Sequence, residues 1–198
     1  MTTVNERAKK IKLLIADVDG VLTDGKINLF FNAKGEIDEF TSFAAIDGLG
    51  TLFLNYAGIP SAIITGRAHA TTASRAKGLG IKYCYQGFLD KTGPFKDILA
   101  RENITPEQVA YIGDDIIDLP LLSVVGLAVC PADARPETKK YCHYVAAAAG
   151  GGGVLRETAD LILKARGKWD ELERLIKEDK WQRAAKCETQ VFKRDGSR

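Results

Sequence analysis

Leu13-Leu14-Ile15-Ala16-Asp17-Val18-Asp19-Gly20-Val21 is a short apolar run that stops abruptly in two carboxylates and a glycine. A uniformly apolar run of that length, closed by turn residues, predicts a strand buried on both faces, as strands of parallel sheets are. With Lys12–Ala16 as the first strand, similar runs follow at Ser61–Ile64, Ile81–Tyr85, Val109–Ile112, Leu127–Val129 and, more weakly, Tyr144–Ala146. Helical patterns fill the intervals, near residues 49–57, 68–77, 94–102, 119–124 and 154–165. Thr105-Pro106-Glu107-Gln108 reads as a capped turn between two of them. Such alternation predicts an α/β fold, a three-layer Rossmann-like parallel sheet with right-handed crossovers, formed as one unit over residues 1–167.

Two segments break the alternation. Residues 24–43 place Ile27–Phe31 and Ile37–Phe40 on either side of Asn32-Ala33-Lys34-Gly35, which predicts a β-hairpin where a helix is due. Its Leu29, Phe30, Phe31, Phe40 and Phe43 must fold back onto the sheet or pack against another chain. Residues 168–198 read as a charged helix decaying into a flexible tail from Glu188 onward.

The 198 residues carry 28 Lys+Arg against 26 Asp+Glu, a formal charge of +2, which is too small to mark a nucleic-acid surface. Apolar runs are too short to span a membrane, and the polar stretch Met1–Lys12 has no secretory character. Cys84, Cys130, Cys142 and Cys187 are scattered and form no disulfide framework or zinc-ligand pattern. These features predict a reduced, cytoplasmic protein.

Asp17 and Asp19 end the first strand, where open α/β sheets bind ligands. A carboxylate such as Asp17 can attack an electrophile without a base, and Asp19 could protonate a leaving alkoxide. An acidic turn explains the pair equally well on its own. Gly113-Asp114-Asp115-Ile116-Ile117-Asp118 crowds three more acids after a later strand. A helix cap accounts for one of them; three call for a hard cation, and oxygen donors alone point to Mg²⁺. Thr65-Gly66-Arg67 offers a hydroxyl, a permissive backbone and a guanidinium suited to phosphate, while Lys91 is uninformative by itself.

Taken together and in this order, Asp17-Val18-Asp19-Gly20-Val21, Thr65, Lys91 and Gly113-Asp114-Asp115-x-x-Asp118 resemble the four motifs of the haloacid dehalogenase superfamily of phosphohydrolases, over about residues 12–166. The resemblance implies that Asp17 forms an aspartyl-phosphate and that Asp19 acts as acid and then base. It also implies Mg²⁺ on Asp17, the Asp19 carbonyl and Asp114, with Thr65 and Lys91 on the phosphoryl oxygens. Asp115 and Asp118 would stand behind them, Asp118 orienting the lysine. Only 46 positions separate Asp19 from Thr65, and 26 separate Thr65 from Lys91, which leaves no room for a cap domain.

The hairpin, Asp47-Gly48-Leu49-Gly50 and the stretch Gly150–Glu157 are similar to the capless branch that includes 3-deoxy-D-manno-octulosonate 8-phosphate (KDO 8-phosphate) phosphatase. That implies a sugar-acid phosphate substrate met by Asp19, Asp47, Gly48, Gly66, Arg67, Arg75 and Lys91, a role in lipopolysaccharide biosynthesis, and a homotetramer built through the hairpin. The chain departs from that branch at Ala44-Ala45-Ile46, Leu52 and Gly152, where polar or basic residues are usual. Alternatives are a phosphatase for another small sugar phosphate, or a non-catalytic tetramerising module of nucleotide-sugar synthesis. A phosphoacceptor receiver domain fits less well, since its acceptor lies on a middle strand and it has no place for the hairpin.

Overall fold

A computed structural model describes residues 2–182 and 188–194. Its centre is β1 (Leu13–Ala16), every residue of which is buried. β1 is flanked in parallel by β4 (Ser61–Thr65) and β6 (Val109–Ile112), with Leu14 opposite both Ser61 and Ala110. Its side chains alternate between two apolar layers. Leu14 and Ala16 join the layer that also takes Ala8, Phe53, Leu54, Ile162 and Leu163, whereas Leu13 and Ile15 join Phe95, Ile98, Leu121 and Leu122. That two-sided burial is why the run has no polar alternation.

The sheet is completed by β5 (Tyr83–Gln86), β7 (Leu127–Cys130), β8 (Tyr144–Val145) and β9 (Gln190–Lys193), in the spatial order β8-β7-β6-β1-β4-β5-β9, all parallel. Helices α1 (Val4–Lys9), α2 (Ala45–Tyr56), α3 (Ala70–Leu79), α7 (Val154–Ala165) and α8 (Trp169–Lys177) contribute to the first layer. Helices α4 (Thr92–Glu102) and α5 (Leu119–Leu122) contribute to the second, and the single turn α6 (Pro136–Lys139) follows β7. Neither α1 nor α6 is expected from periodicity. α1 is set by a Thr3–Glu6 capping box, with Thr3 Oγ1 accepting from Glu6 N at 3.2 Å. No helix of the described residues is long and apolar enough to cross a membrane.

Chain order runs outward from β1 to β4 and β5, then returns to β6 on the other side. The strand order therefore reverses beside β1, and the loops after β1 and β6 open onto that crevice.

The hairpin forms where expected, as a separate antiparallel pair of β2 (Asn28–Phe31) and β3 (Ile37–Phe40). Asn32 Oδ1 closes its turn by accepting from Lys34 N and Glu36 N. The apolar side chains of the ribbon itself do not fold back, Phe31 being 75% exposed, Ile37 67% and Leu29 63%, whereas Phe43, beyond β3, packs against the first layer.

The tail corrects the reading of residues 168–198. The helix ends at Lys177, and Gln190–Lys193 is not a loose end but the edge strand of the main sheet. Phe192 stacks on Tyr85 with ring centroids 4.3 Å apart and planes 10° from parallel, and Arg101 lies over its other face at 4.9 Å. The charges around Val191-Phe192 hide this in composition, but an uncovered β5 edge favours a strand partner. Residues 195–198 lie outside the described residues. Phe192→Ala should therefore lower stability by about 1–2 kcal/mol, seen as a fall of several degrees in Tm. An unchanged Tm would mean that this strand contributes nothing.

Candidate functional site

Asp17 follows β1 directly, and its own N–H continues the ladder by donating to Ile112 O at 3.0 Å. Its Oδ1 accepts from Val18 N at 2.6 Å, which turns Oδ2 toward Lys91. Gly20 then adopts φ +81°, and a side chain there would stand 2.2 Å from Asp114 Oδ2. The glycine is what lets the turn after β1 lie against the acidic loop after β6.

Lys91, wholly buried, enters from the start of α4. Its Nζ is 2.6 Å from Asp17 Oδ2 and 2.6 Å from Asp118 Oδ1, and donates to the Tyr111 hydroxyl at 3.2 Å. Tyr111 in turn donates to Asp118 Oδ1, while Asp118 Oδ2 accepts from Asp114 N at 3.0 Å and Asp115 N at 3.3 Å. Burial by itself pulls the Lys91 pKa down, but the Asp17 and Asp118 carboxylates outweigh it and raise the pKa above its ordinary value.

One oxygen from each of Asp17, Asp114 and Asp118 falls within 4.8 Å of the others. Burial, with the neighbouring acids adding to it, pushes Asp114 up to about 7. Burial also lifts Asp17 to about 6 despite Lys91, with Asp118 contributing. Lys91 supplies one positive charge to these three desolvated carboxylates, which leaves the cluster short of positive charge, and an oxygen-only donor set suits Mg²⁺. Because Asp118 already serves Lys91, Tyr111 and two amides, Asp17 and Asp114 are the acids left to meet a cation.

Asp17 and Asp114 face a cavity of about 330 Å³, lined also by Asp19, Thr65, Gly66, Arg67, Leu89 and Asp115. Thr65 closes β4 and accepts on Oγ1 from Arg67 N at 3.2 Å. Arg67 spans from Asp19, at 3.5 Å, to Glu39 of β3, whose two carboxylate oxygens lie 2.8 and 2.7 Å from Nη2.

The structure thus brings Asp17, Asp19, Thr65, Gly66, Arg67, Lys91, Asp114, Asp115 and Asp118 together. It places Asp47, Gly48 and Arg75, expected to contact substrate, outside the cavity lining. Buried Asp47 instead accepts from Arg156 N at 3.0 Å, tying α2 to the first turn of α7, which also starts α2 at Ala45 rather than Leu49. Arg75 donates to Ala44 O at 2.9 Å beneath Phe43. The glycine stretch also stays outside the cavity lining but braces the turn after β1, with Gly151 N donating to Val21 O at 2.9 Å. Sequence reasoning missed Tyr111, which looks like one more core residue of its strand, and Glu39, which looks like a solvated hairpin charge.

A family model described as haloacid dehalogenase-like hydrolase matches residues 85–157. A 3-deoxy-D-manno-octulosonate 8-phosphate phosphatase of Yersinia pestis is 47% identical over 165 residues, covering 83% of this chain and 86% of that protein. The chain belongs to the haloacid dehalogenase-like hydrolases. Among solved members of the superfamily, the KDO 8-phosphate phosphatase of Moraxella catarrhalis, in complex with magnesium, phosphate and KDO, has a TM-score of 0.82 and 37% identity, covering 87% of this chain and 97% of that one. The cobalt-bound enzyme of Haemophilus influenzae has a TM-score of 0.75 and 41% identity, covering 82% and 92%. Solved relatives thus carry magnesium or cobalt, and this hydrolase gathers Asp17, Asp114 and Asp118 closely enough to hold a metal ion.

The raised carboxyls set a pH test of the metal site. Their folded pKa values of about 6 and 7 lie above the ordinary 3.8, so the protonated acids favour the fold at low pH. That contribution fades as pH rises through 4 to 7, because the unfolded chain then holds fewer protons than the folded one. A cation replaces those protons, so Mg²⁺ should raise Tm more at pH 8 than at pH 5. Equal shifts at the two pH values, or none at pH 8, would contradict the assignment.

Proposed function

We propose that the protein is a Mg²⁺-dependent phosphomonoesterase that hydrolyses KDO 8-phosphate, or a closely related sugar-acid phosphate, to the sugar acid and inorganic phosphate. The observation that carries this reading is Asp17, fixed by Val18 N and Lys91 at the floor of a cavity that also takes Asp19, Thr65 and Asp114. The relatives named for that activity supply the substrate.

In this reading Asp17 attacks phosphorus and forms an aspartyl-phosphate, while the bond to the sugar oxygen breaks and Asp19 gives that oxygen its proton. Asp19 then takes a proton from the water that attacks the same phosphorus, and Asp17 leaves as carboxylate. Thr65 Oγ1 and Lys91 Nζ hold the phosphoryl oxygens, and Asp118 keeps Lys91 charged and aimed. Held by Asp17, the Asp19 carbonyl and Asp114, Mg²⁺ would neutralise charge on the transferring phosphoryl group.

Two predictions test the roles and the assembly. Asp17→Asn should cost at least about 1,000-fold in turnover, because the covalent route is lost. Asp19→Asn should cost far less with p-nitrophenyl phosphate, whose leaving group scarcely needs a proton, than with a sugar phosphate. Equal losses on the two substrates would remove Asp19 as the acid.

We also infer a homotetramer assembled through the hairpin. Each of Leu29, Phe30, Phe31 and Phe40 stands 42–75% exposed, and burying such a side chain gains about 1.5–3 kcal/mol. Phe30→Asp with Phe31→Asp should shift the mass seen by light scattering downward and reduce sugar-phosphate turnover. A wild-type monomer with full activity would overturn the assembly.

A further inference from the structure

Among the described residues, Arg67 is the one cation lining the cavity, which otherwise presents the charges of Asp17, Asp19, Asp114 and Asp115. Lys91 is positive but sits behind Asp17, with its side chain fully buried. A substrate bearing a carboxylate as well as a phosphate therefore has a single guanidinium to meet in this cavity, and that guanidinium is taken. Glu39 closes on it with both oxygens within 2.8 Å, and its side chain is only 18% exposed. Its Oε2 also lies 3.8 Å from His69 Nε2. The pair is charge-assisted and half-buried, hence stronger than a surface ion pair.

Glu39 reaches the site from the hairpin, not from a strand end. Beyond Glu39, Thr41 Oγ1 meets Thr71 Oγ1 at 3.5 Å, while the apolar side chains of β2 and β3 are exposed. The carboxylate can thus withdraw with β3 without disturbing the core. A neutral sugar phosphate can enter beside the closed pair, whereas a carboxylated one must compete with it.

We propose that Glu39 is a specificity-determining residue: it occupies the Arg67 guanidinium as an internal carboxylate that a substrate carboxylate must displace. The inference rests on the phosphatase reading of this site and adds a rule for selectivity within it. Removing the charge at residue 39 releases Arg67 Nη2, with Nη1 still 3.5 Å from Asp19, and relieves repulsion of an incoming carboxylate, so affinity for acidic sugar phosphates should rise relative to neutral ones.

The test is competition against p-nitrophenyl phosphate hydrolysis by the full-length protein, comparing 6-phosphogluconate with glucose 6-phosphate. In Glu39→Gln the ratio of the two inhibition constants should move toward the carboxylated ligand by about tenfold, the scale of one charge-assisted contact. Glu39→Asp keeps the charge and should keep the ratio nearer that of the wild type. An unchanged ratio, or equal shifts for both ligands, would overturn the proposal, since a merely structural role moves both together. A crystal structure of the wild-type protein with 6-phosphogluconate bound and Glu39 still on Arg67 would overturn it independently. KDO 8-phosphate is assayed separately: failure to hydrolyse it removes that substrate while leaving the ratio test intact.

Discussion

Lys91 holds one positive charge between two carboxylates in a place where water does not reach. Taking an ammonium and two carboxylates out of water is unfavourable, and it becomes tolerable only when every remaining donor and acceptor is used. Asp118 meets that condition through Tyr111 and the amides of Asp114 and Asp115, so the acid that steadies the lysine also fixes the backbone of the acidic loop. Asp17 meets it only in part, because one oxygen is shared between Lys91 and the cavity. Removing one partner from a buried pair of this kind typically costs about 3–5 kcal/mol, so stability and catalytic geometry are bound to the same atoms.

The strand order explains why these groups meet. Asp17 and Asp114 extend neighbouring strands from which the chain departs in opposite directions, which leaves a crevice between their loops. Gly20 lets the two loops close to contact distance, and the stretch from Gly150 braces the turn after β1 from the far side. The acids are therefore packed by backbone geometry and not drawn together by attraction. That accounts for pKa values near 6 and 7 at Asp17 and Asp114, and for the demand for a cation.

The parts of this architecture that depend on local pattern could be read from the sequence. The buried strands announce themselves as unbroken apolar runs, with the acids and Thr65 at their ends or just beyond, and Lys91 stands just before a helix. The hairpin is visible in its turn and in its aromatic content. What could not be read depends on long-range partners. Tyr111 is indistinguishable from its strand neighbours until Lys91 and Asp118 arrive beside its hydroxyl. Asp47 resembles a substrate contact by motif, yet its carboxylate faces an amide 109 positions away. Gln190–Lys193 becomes a strand because β5 has a free edge and Tyr85 offers a ring, neither of which is encoded nearby.

The hairpin connects the site to the surface of the molecule. A two-stranded ribbon is marginal in water by itself, and this one leaves Phe31 and Ile37 largely exposed. Its polar anchor at the cavity is the Glu39–Arg67 pair, so any surface that covers the exposed side chains of β2 and β3 also sets how firmly Glu39 is held. In a fold without room for a cap domain, the outer wall of the cavity is then no more rigid than the hairpin's own support. The buried core holds Asp17 and the acidic loop after β6 in place. Glu39, proposed to select among substrates, rides instead on a ribbon whose exposed side chains await a covering surface.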